Sequence, residues 1–375
     1  MVYSIAVLRA LLVGAAAFAT SIAATRNGHR PPTDEDLSIL AGQHVIYSYP
    51  GLTPPDELFQ LVREGRVGGL ILFRDNIDQN NTANTAAAMS RMQQANAESP
   101  AYNGLPLLVM TDQEGGYVKR ITDGGPFQSA KEMGASADPA TASAQGGQDV
   151  AKALIGAGVN MNLAPVLDVY REDGDLMDQW ERSFGNTSAL VSKCIAPFIK
   201  NMQEKGVLAT AKHFPGLGAA SADSNTDVEP VVVGTPIHEI RMVDEIPYYA
   251  AFEVGLGIVM MSWATYPAMD DLPAGLSSRW TQGELRGRMG FKGMIMTDAL
   301  EAGAVERYGN WSTVALLSQK AGVDMILCSA KNVTQGILAT EGIVAGLKNG
   351  ELSWQVFEAS IARIKKVKQS LLVLR

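Results

Sequence analysis

Three carboxylates and a basic pair stand where strand-like runs end, which is where hydrolytic or transfer chemistry is usually mounted. Asp298 directly follows GFKGMIMT, so a carboxylate leaves the end of an apolar run. Lys212 and His213 end another run and open a Gly-, Ser- and Asp-rich segment, GLGAASADSNTDVEP, with neither helical nor strand period. A loop of that length inside a compact domain usually covers or binds something. A third run ends in Thr111-Asp112-Gln113-Glu114-Gly115-Gly116 with Arg120 close behind, and a fourth gives Asp168, followed by Arg182 in ERSFG.

Each of these has a plainer reading. Asp298-Ala299-Leu300-Glu301 fits a helix N-cap with a glutamate reaching back from the third position. Lys212, with a depressed pKa, would suit a Schiff base of the class I aldolase kind; alternatively Lys212 and His213 both donate to sugar hydroxyls. Neighbours on a strand point to opposite sides, so one of the two can be packing alone. Asp112 and Arg120 suit a turn carboxylate and its salt-bridge partner, although Gly115-Gly116 lets the backbone bend tightly or approach a ligand. Neither GxGxxG after the first run nor GxxxxGK[ST] is present, so nucleotide cofactors have no signal. The four histidines, His29, His44, His213 and His238, lie far apart and form no zinc motif.

The elements that must position these residues alternate regularly. Apolar runs at 43–47, 69–73, 105–111, 159–169, 207–212, 258–262, 293–297 and 324–328 are separated by helix-like segments at 56–64, 82–97, 140–156, 189–206, 236–255, 278–289 and 311–322. A last stretch, 353–374, carries Phe357, Ile361, Ile364 and Val367 on one helical face. Continuous rather than alternating apolar strands predict a parallel sheet closed into a (β/α)₈ TIM-type barrel in a single domain, with a doubly wound open sheet as the alternative. In such a barrel the chemistry gathers at the C-terminal strand ends, where the residues above fall.

With 375 residues, 46% hydrophobic and 19% charged, the chain can bury a large core unaided. A net charge of −8 and the lack of a basic, aromatic-interleaved stripe argue against nucleic-acid binding. Residues 1–24, with Arg9 ahead of an apolar run ending in Ser21, Ala23 and Ala24, read as a secretory signal peptide, or as an uncleaved anchor. A polar leader at 25–36 follows, and the barrel is expected over 37–375. Cys194 and Cys328 are too few for a disulfide framework. Asn80, Asn186, Asn310 and Asn332 sit in N-x-S/T triplets, a weak sign of export.

Taken together, KHFPG at Lys212, DQEGGYVKR at Asp112, NLAPVLDV at Asn162, ERSFG at Glu181 and GMIMTD at Gly293 resemble glycoside hydrolase family 3, most closely its single-domain β-N-acetylglucosaminidase branch. The likeness runs in order from about Leu37 to the C-terminus. It implies a TIM-type barrel that removes β-linked N-acetylglucosamine from non-reducing ends of chitin or peptidoglycan fragments, with retention and with no metal or other cofactor; members of the family that prefer glucosides or other sugars make a β-glucosidase-type activity the alternative. Carried over by position, Asp298 matches the nucleophile, and Asp112, Arg120, Arg182, Lys212 and His213 match the residues that hold the sugar.

Two positions depart from that pattern. The branch has a general acid/base histidine where this chain has Asn225, in Asp223-Ser224-Asn225, and Tyr117 replaces the usual arginine of DQEGGRV. An amide supplies no proton at useful pH, and losing a general acid costs roughly 10²- to 10⁴-fold in rate. Three readings follow: Asp223 or Asp227 takes over the proton transfer; the enzyme handles only good leaving groups or passes the sugar to another acceptor; or the protein binds sugar with little turnover. The first is favoured, because the acidic loop and the sugar-holding set are retained.

Overall fold

Eight short strands pair in chain order, all parallel, and close on themselves: β1 Val45–Tyr47, β2 Gly69–Ile71, β3 Leu108–Thr111, β4 Met161–Asn162, β5 Leu208–Phe214, β6 Ile258–Met261, β7 Met294–Ala299 and β8 Met325–Leu327. The last strand meets the first through the pairs Val45 with Ile326 and Ile46 with Leu327. This is a computed structural model, and it describes residues 32–373. The expected signal peptide, 1–24, and most of the polar leader lie outside those residues. The leader ends sooner than expected, because Thr33 and Asp36 form a capping box that starts the helix Asp34–Gly42.

The strands read as continuous apolar runs because both faces are buried: one faces the barrel interior, the other the surrounding helices. The interior is filled by Ile46, Ile71, Leu108 and Leu163 together with Met110, Met161, Met260, Met294, Met296 and Met325. Unbranched methionine adapts to the irregular gaps of a tapering barrel. At the end where the strands begin, Ile364, Val367 and Leu371 of the C-terminal helix Trp354–Val373 join the same cluster and close the barrel from below. Arg363 and Arg286 both pair there with buried Asp324, just ahead of β8. The other end is left open to ligands.

The structure differs from the sequence reading in instructive places. The fourth run, expected over 159–169, makes a ladder only at Met161–Asn162, with an isolated bridge from Val166 to Lys212. Pro165 has no N–H to give and interrupts it. The segment expected as one helix over 236–255 is broken by a π-turn, Ile240–Asp244, ahead of Pro247, and Arg279–Arg288 is wound as a π-helix.

The eighth crossover is a helix that the sequence reading passed over, Val333–Lys348, so the C-terminal helix is additional. Its glycines lower helix propensity, yet they serve close packing: a Cβ on Gly336 would come within 2.2 Å of the buried Tyr47 ring, and one on Gly342 within 2.2 Å of the Ser312 carbonyl. Asn310 and Asn332, two of the N-x-S/T asparagines, cap helices by accepting from Thr313 N and Gln335 N. Cys194 and Cys328 are both buried and free.

Gly336→Ala is expected to destabilise the protein by about 1–3 kcal/mol, the usual effect of overfilling a packed contact. Urea denaturation reads this as a lower midpoint; an unchanged midpoint would mean that the helix and Tyr47 can move apart freely.

Candidate active site

The strand ends build a layer of charge on an apolar floor. Lys212, near the end of β5, is almost fully buried, and its Nζ donates to Asp112 Oδ1 at 2.8 Å and lies 2.7 Å from Glu114 Oε1. Arg182 grips Glu114 with two parallel hydrogen bonds of 2.8 Å, and Arg120 reaches the other oxygen of Asp112 at 3.3 Å. Burial alone would raise both carboxyl pKa values, but Lys212 and Arg120 around Asp112, and Arg182 and Lys212 around Glu114, hold both groups below the usual carboxylate range. Lys212 is shifted oppositely. Burial would lower it, yet Asp112 and Glu114 outweigh that and push it up.

That arrangement removes the aldolase alternative, since a Schiff-base lysine needs its pKa lowered and its amine free. Lys212 is instead a fixed ammonium. Nor is either member of the Lys212-His213 pair mere packing: both line the cavity. His213 Nδ1 lies 2.7 Å from Asp168 Oδ2, while Arg182 Nη2 approaches Nε2 at 3.4 Å. A proton on Nδ1 satisfies both partners. Asp168, fully buried, also accepts from the backbone N–H of His213 and of Leu217, fixing the start of the loop after β5.

Asp298 lies within β7, opens into the same cavity, and accepts a hydrogen bond from Ala299 N at 2.8 Å. The capping-box reading fails. The next helical turn begins only at Gly303, and Glu301 turns aside to accept from Ser329 and Gln335. Burial raises the Asp298 pKa; nearby His213 works against this and Asp227 adds to it.

The loop at 215–230 separates the two candidate acids. Asp223 is exposed, outside the cavity lining, and accepts from Ser221 Oγ, which lowers its pKa. Asp227 lines the cavity with Ser224, Asn225 and Thr226. The loop is not extended there: Asn225 Oδ1 accepts from Asp227 N at 2.9 Å in a side-chain-capped turn. Its carbonyls at Thr226 and Asp227 accept from Ala304 and Gly303, in the segment that follows Asp298. A Cβ on Gly303 would sit 2.0 Å from the Val228 oxygen, so only glycine permits this approach.

The cavity measures about 650 Å³, enough for a sugar residue and part of its neighbour. Ile71, Leu163, Met260 and Leu327, the top of the barrel core, form its floor. All five expected sugar-holding residues, Asp112, Arg120, Arg182, Lys212 and His213, line it. The sequence reading did not single out Glu114, although it stands in DQEGG two residues from Asp112, on the face expected for a period of two. Trp180 and the anchoring part played by Asp168 went unrecognised too. Among the described residues, no group of three or more His, Cys, Asp or Glu is placed to hold a metal ion.

The model of the glycosyl hydrolase family 3 N terminal domain matches residues 37–367. An uncharacterized secreted glycosyl hydrolase of Arthroderma benhamiae is 49% identical over 337 residues, 90% of this chain and 94% of that relative. A beta-hexosaminidase of Nitrosomonas eutropha is 30% identical over 310 residues, 80% and 82% of the two chains. The family 3 beta-N-acetylglucosaminidase structure from Paenibacillus sp. FPU-7 superposes with a TM-score of 0.83 and 31% identity; the match covers 90% of this chain and 63% of that one. Beta-N-acetylhexosaminidase from Beutenbergia cavernae gives a TM-score of 0.78 and 28% identity over 89% and 98%.

Lys212→Met is expected to cost about 3–5 kcal/mol by leaving two buried carboxylates without their shared cation. The folded-state pKa values of Asp112 and Glu114 lie below the ordinary 3.8 and 4.5. Their contribution is therefore complete above those values and is lost as pH falls through the folded-state pKa. Without the ammonium those pKa values rise, so acid unfolding followed by circular dichroism moves to higher pH. An unmoved acid transition would contradict the assigned ion pairs.

Proposed function

This chain belongs to glycosyl hydrolase family 3, and we propose on that premise that it is a retaining exo-β-N-acetylglucosaminidase working through a glycosyl-aspartate. The observation that carries the reading is a cavity whose lining brings Asp298 and Asp227, neither of them in an ion pair among the described residues, together with a fixed set of paired charges. The sugar sits on the floor, its hydroxyls gripped by Asp112, Arg120, Arg182, Lys212 and His213. Paired ions of this kind recognise hydroxyls well, because each can donate or accept without reorganising.

Asp298 attacks C1 as the bond from C1 to the leaving oxygen breaks, and Asp227 gives that oxygen its proton. Asp227, now a carboxylate, then takes a proton from water. The resulting nucleophile attacks C1 and frees Asp298. The preference for 2-acetamido sugars rests on the hexosaminidase and N-acetylglucosaminidase relatives. Export rests on the apolar leader and on the secreted Arthroderma relative; no helix among the described residues is long and apolar enough to cross a membrane. Asn225 fits this scheme as the residue that shapes the turn carrying Asp227.

Asp298→Ala is expected to abolish release of nitrophenol from its β-N-acetylglucosaminide. Asp227→Asn is expected to slow an unactivated disaccharide by roughly 10²- to 10⁴-fold and the nitrophenyl glycoside far less, with Asp223→Asn close to the parent on both. A parent-like rate for Asp227→Asn on the disaccharide would remove Asp227 as the acid; binding of sugar without turnover by the parent would replace the hydrolase with a sugar-binding protein. The pH profile offers a second check. The nucleophile must be ionised and its pKa is raised, so activity is present above that pKa and lost as pH falls through it. The acidic limb of kcat/KM is therefore expected above the ordinary aspartate value of 3.8, and a limb at or below that value would contradict the raised Asp298.

A further inference from the structure

Two large aromatic side chains stand at the cavity mouth with no packing reason to be there. Tyr117 is 66% exposed and Trp180 is 50% exposed, yet both line the cavity, and their rings meet edge to face at 6.0 Å. They come from separate loops, Tyr117 from the turn between Gln113–Gly115 and Val118–Lys119 after β3, Trp180 from the end of the short helix Leu176–Gln179 after β4. Among the described residues neither the Tyr117 hydroxyl nor the Trp180 indole N–H makes a hydrogen bond, and neither ring has a cation over it. Apolar area left in water at the rim of a cavity marks a surface that a ligand covers.

We propose that Tyr117 and Trp180 form the subsite for the leaving group, and that its occupant is a neutral sugar ring of a chitin-type oligosaccharide. The inference rests on the glycosidase reading of the cavity. Its first support is connection to the acid. Gln179, next to Trp180, donates to the Ala222 carbonyl, and Leu176 N reaches the Ala220 carbonyl at 3.4 Å, so the Trp180 helix is tied to the loop that carries Asp227. Protonation of the leaving oxygen requires the acid and the leaving sugar to share one side of the bond being broken. The pair therefore flanks the side where the second ring must emerge.

The second support is charge and shape. Two rings at right angles offer an apolar face to the C–H side of a pyranose, while the free indole N–H and phenol meet hydroxyls at its edge. The charge beside them is negative: Glu181 lies alongside Gly116, next to Tyr117. A leaving sugar bearing a carboxylate would meet repulsion from Glu181 here.

The test uses an Asp298→Ala background, so that sugars bind without being consumed, with Tyr117→Ala and Trp180→Ala added singly. Calorimetric titration with chitobiose is expected to weaken roughly three- to tenfold in either variant, while N-acetylglucosamine, which needs only the inner cavity, is unchanged. Equal loss for both ligands, or loss for neither, would overturn the subsite. So would tighter binding of a disaccharide with N-acetylmuramic acid as the leaving sugar. Hydrolysis of chitobiose and of methyl β-N-acetylglucosaminide by the otherwise intact enzyme supplies the kinetic arm, with KM for chitobiose expected to rise in both aromatic variants and the methyl glycoside unaffected. A parent that hydrolyses neither compound defeats the hydrolase reading, whereas the subsite stands or falls on the titration alone.

Discussion

An ammonium held between two carboxylates inside the protein is the constraint around which this site is arranged. Lys212 has almost no access to solvent, so its charge is tolerable only because Asp112 and Glu114 touch it. Those carboxylates in turn need Arg120 and Arg182, and Arg182 reaches on to His213, which Asp168 fixes. Each charge is placed by the next, leaving little freedom for any side chain to rotate away. The barrel makes this possible by bringing the ends of β3, β4, β5 and β7 to one rim, above a methionine-rich interior that offers no competing partner.

Asp298 belongs to the same layer but is treated differently. Where Asp112 and Glu114 are pinned as anions by direct cation contacts, Asp298 accepts a hydrogen bond from Ala299 N–H, forms no ion pair among the described residues, and has a raised pKa. A carboxylate without a tight ion pair keeps its electron density available for a carbon centre, which is what the proposed nucleophile requires. The loop at 215–230 supplies the opposing carboxylate. Asp168 anchors it at Leu217, Tyr266 donates to the Gly216 carbonyl, and Gly303 and Ala304 hold it at its middle. Those tethers turn Asp227 into the cavity and leave Asp223 in solvent.

The barrel was legible because its strands are buried on both sides and read as continuous apolar runs, and Asp298 because such a run delivers it. The helix Val333–Lys348 was obscured by glycines whose purpose is contact with Tyr47 and Ser312, residues distant in sequence. Glu114 was overlooked beside Asp112 because its value lies in reaching Lys212 and Arg182, 98 and 68 positions along the chain, a pairing that no local pattern discloses. Asp223 and Asp227 could not be told apart for a similar reason. The choice depends on hydrogen bonds from Gly303 and Ala304, not on composition within the loop. Trp180 follows no strand directly, and only the fold brings it to the mouth beside Tyr117.

The proposed mechanism requires a covalent bond between a sugar and one carboxylate. Incubation with a slowly turned-over fluorinated β-N-acetylglucosaminide, followed by protease digestion and mass spectrometry, tests this most directly. The label is expected on the peptide containing Asp298, on that residue alone. A label on Asp227 or Asp112, or steady turnover with no labelled peptide at any time, would contradict it.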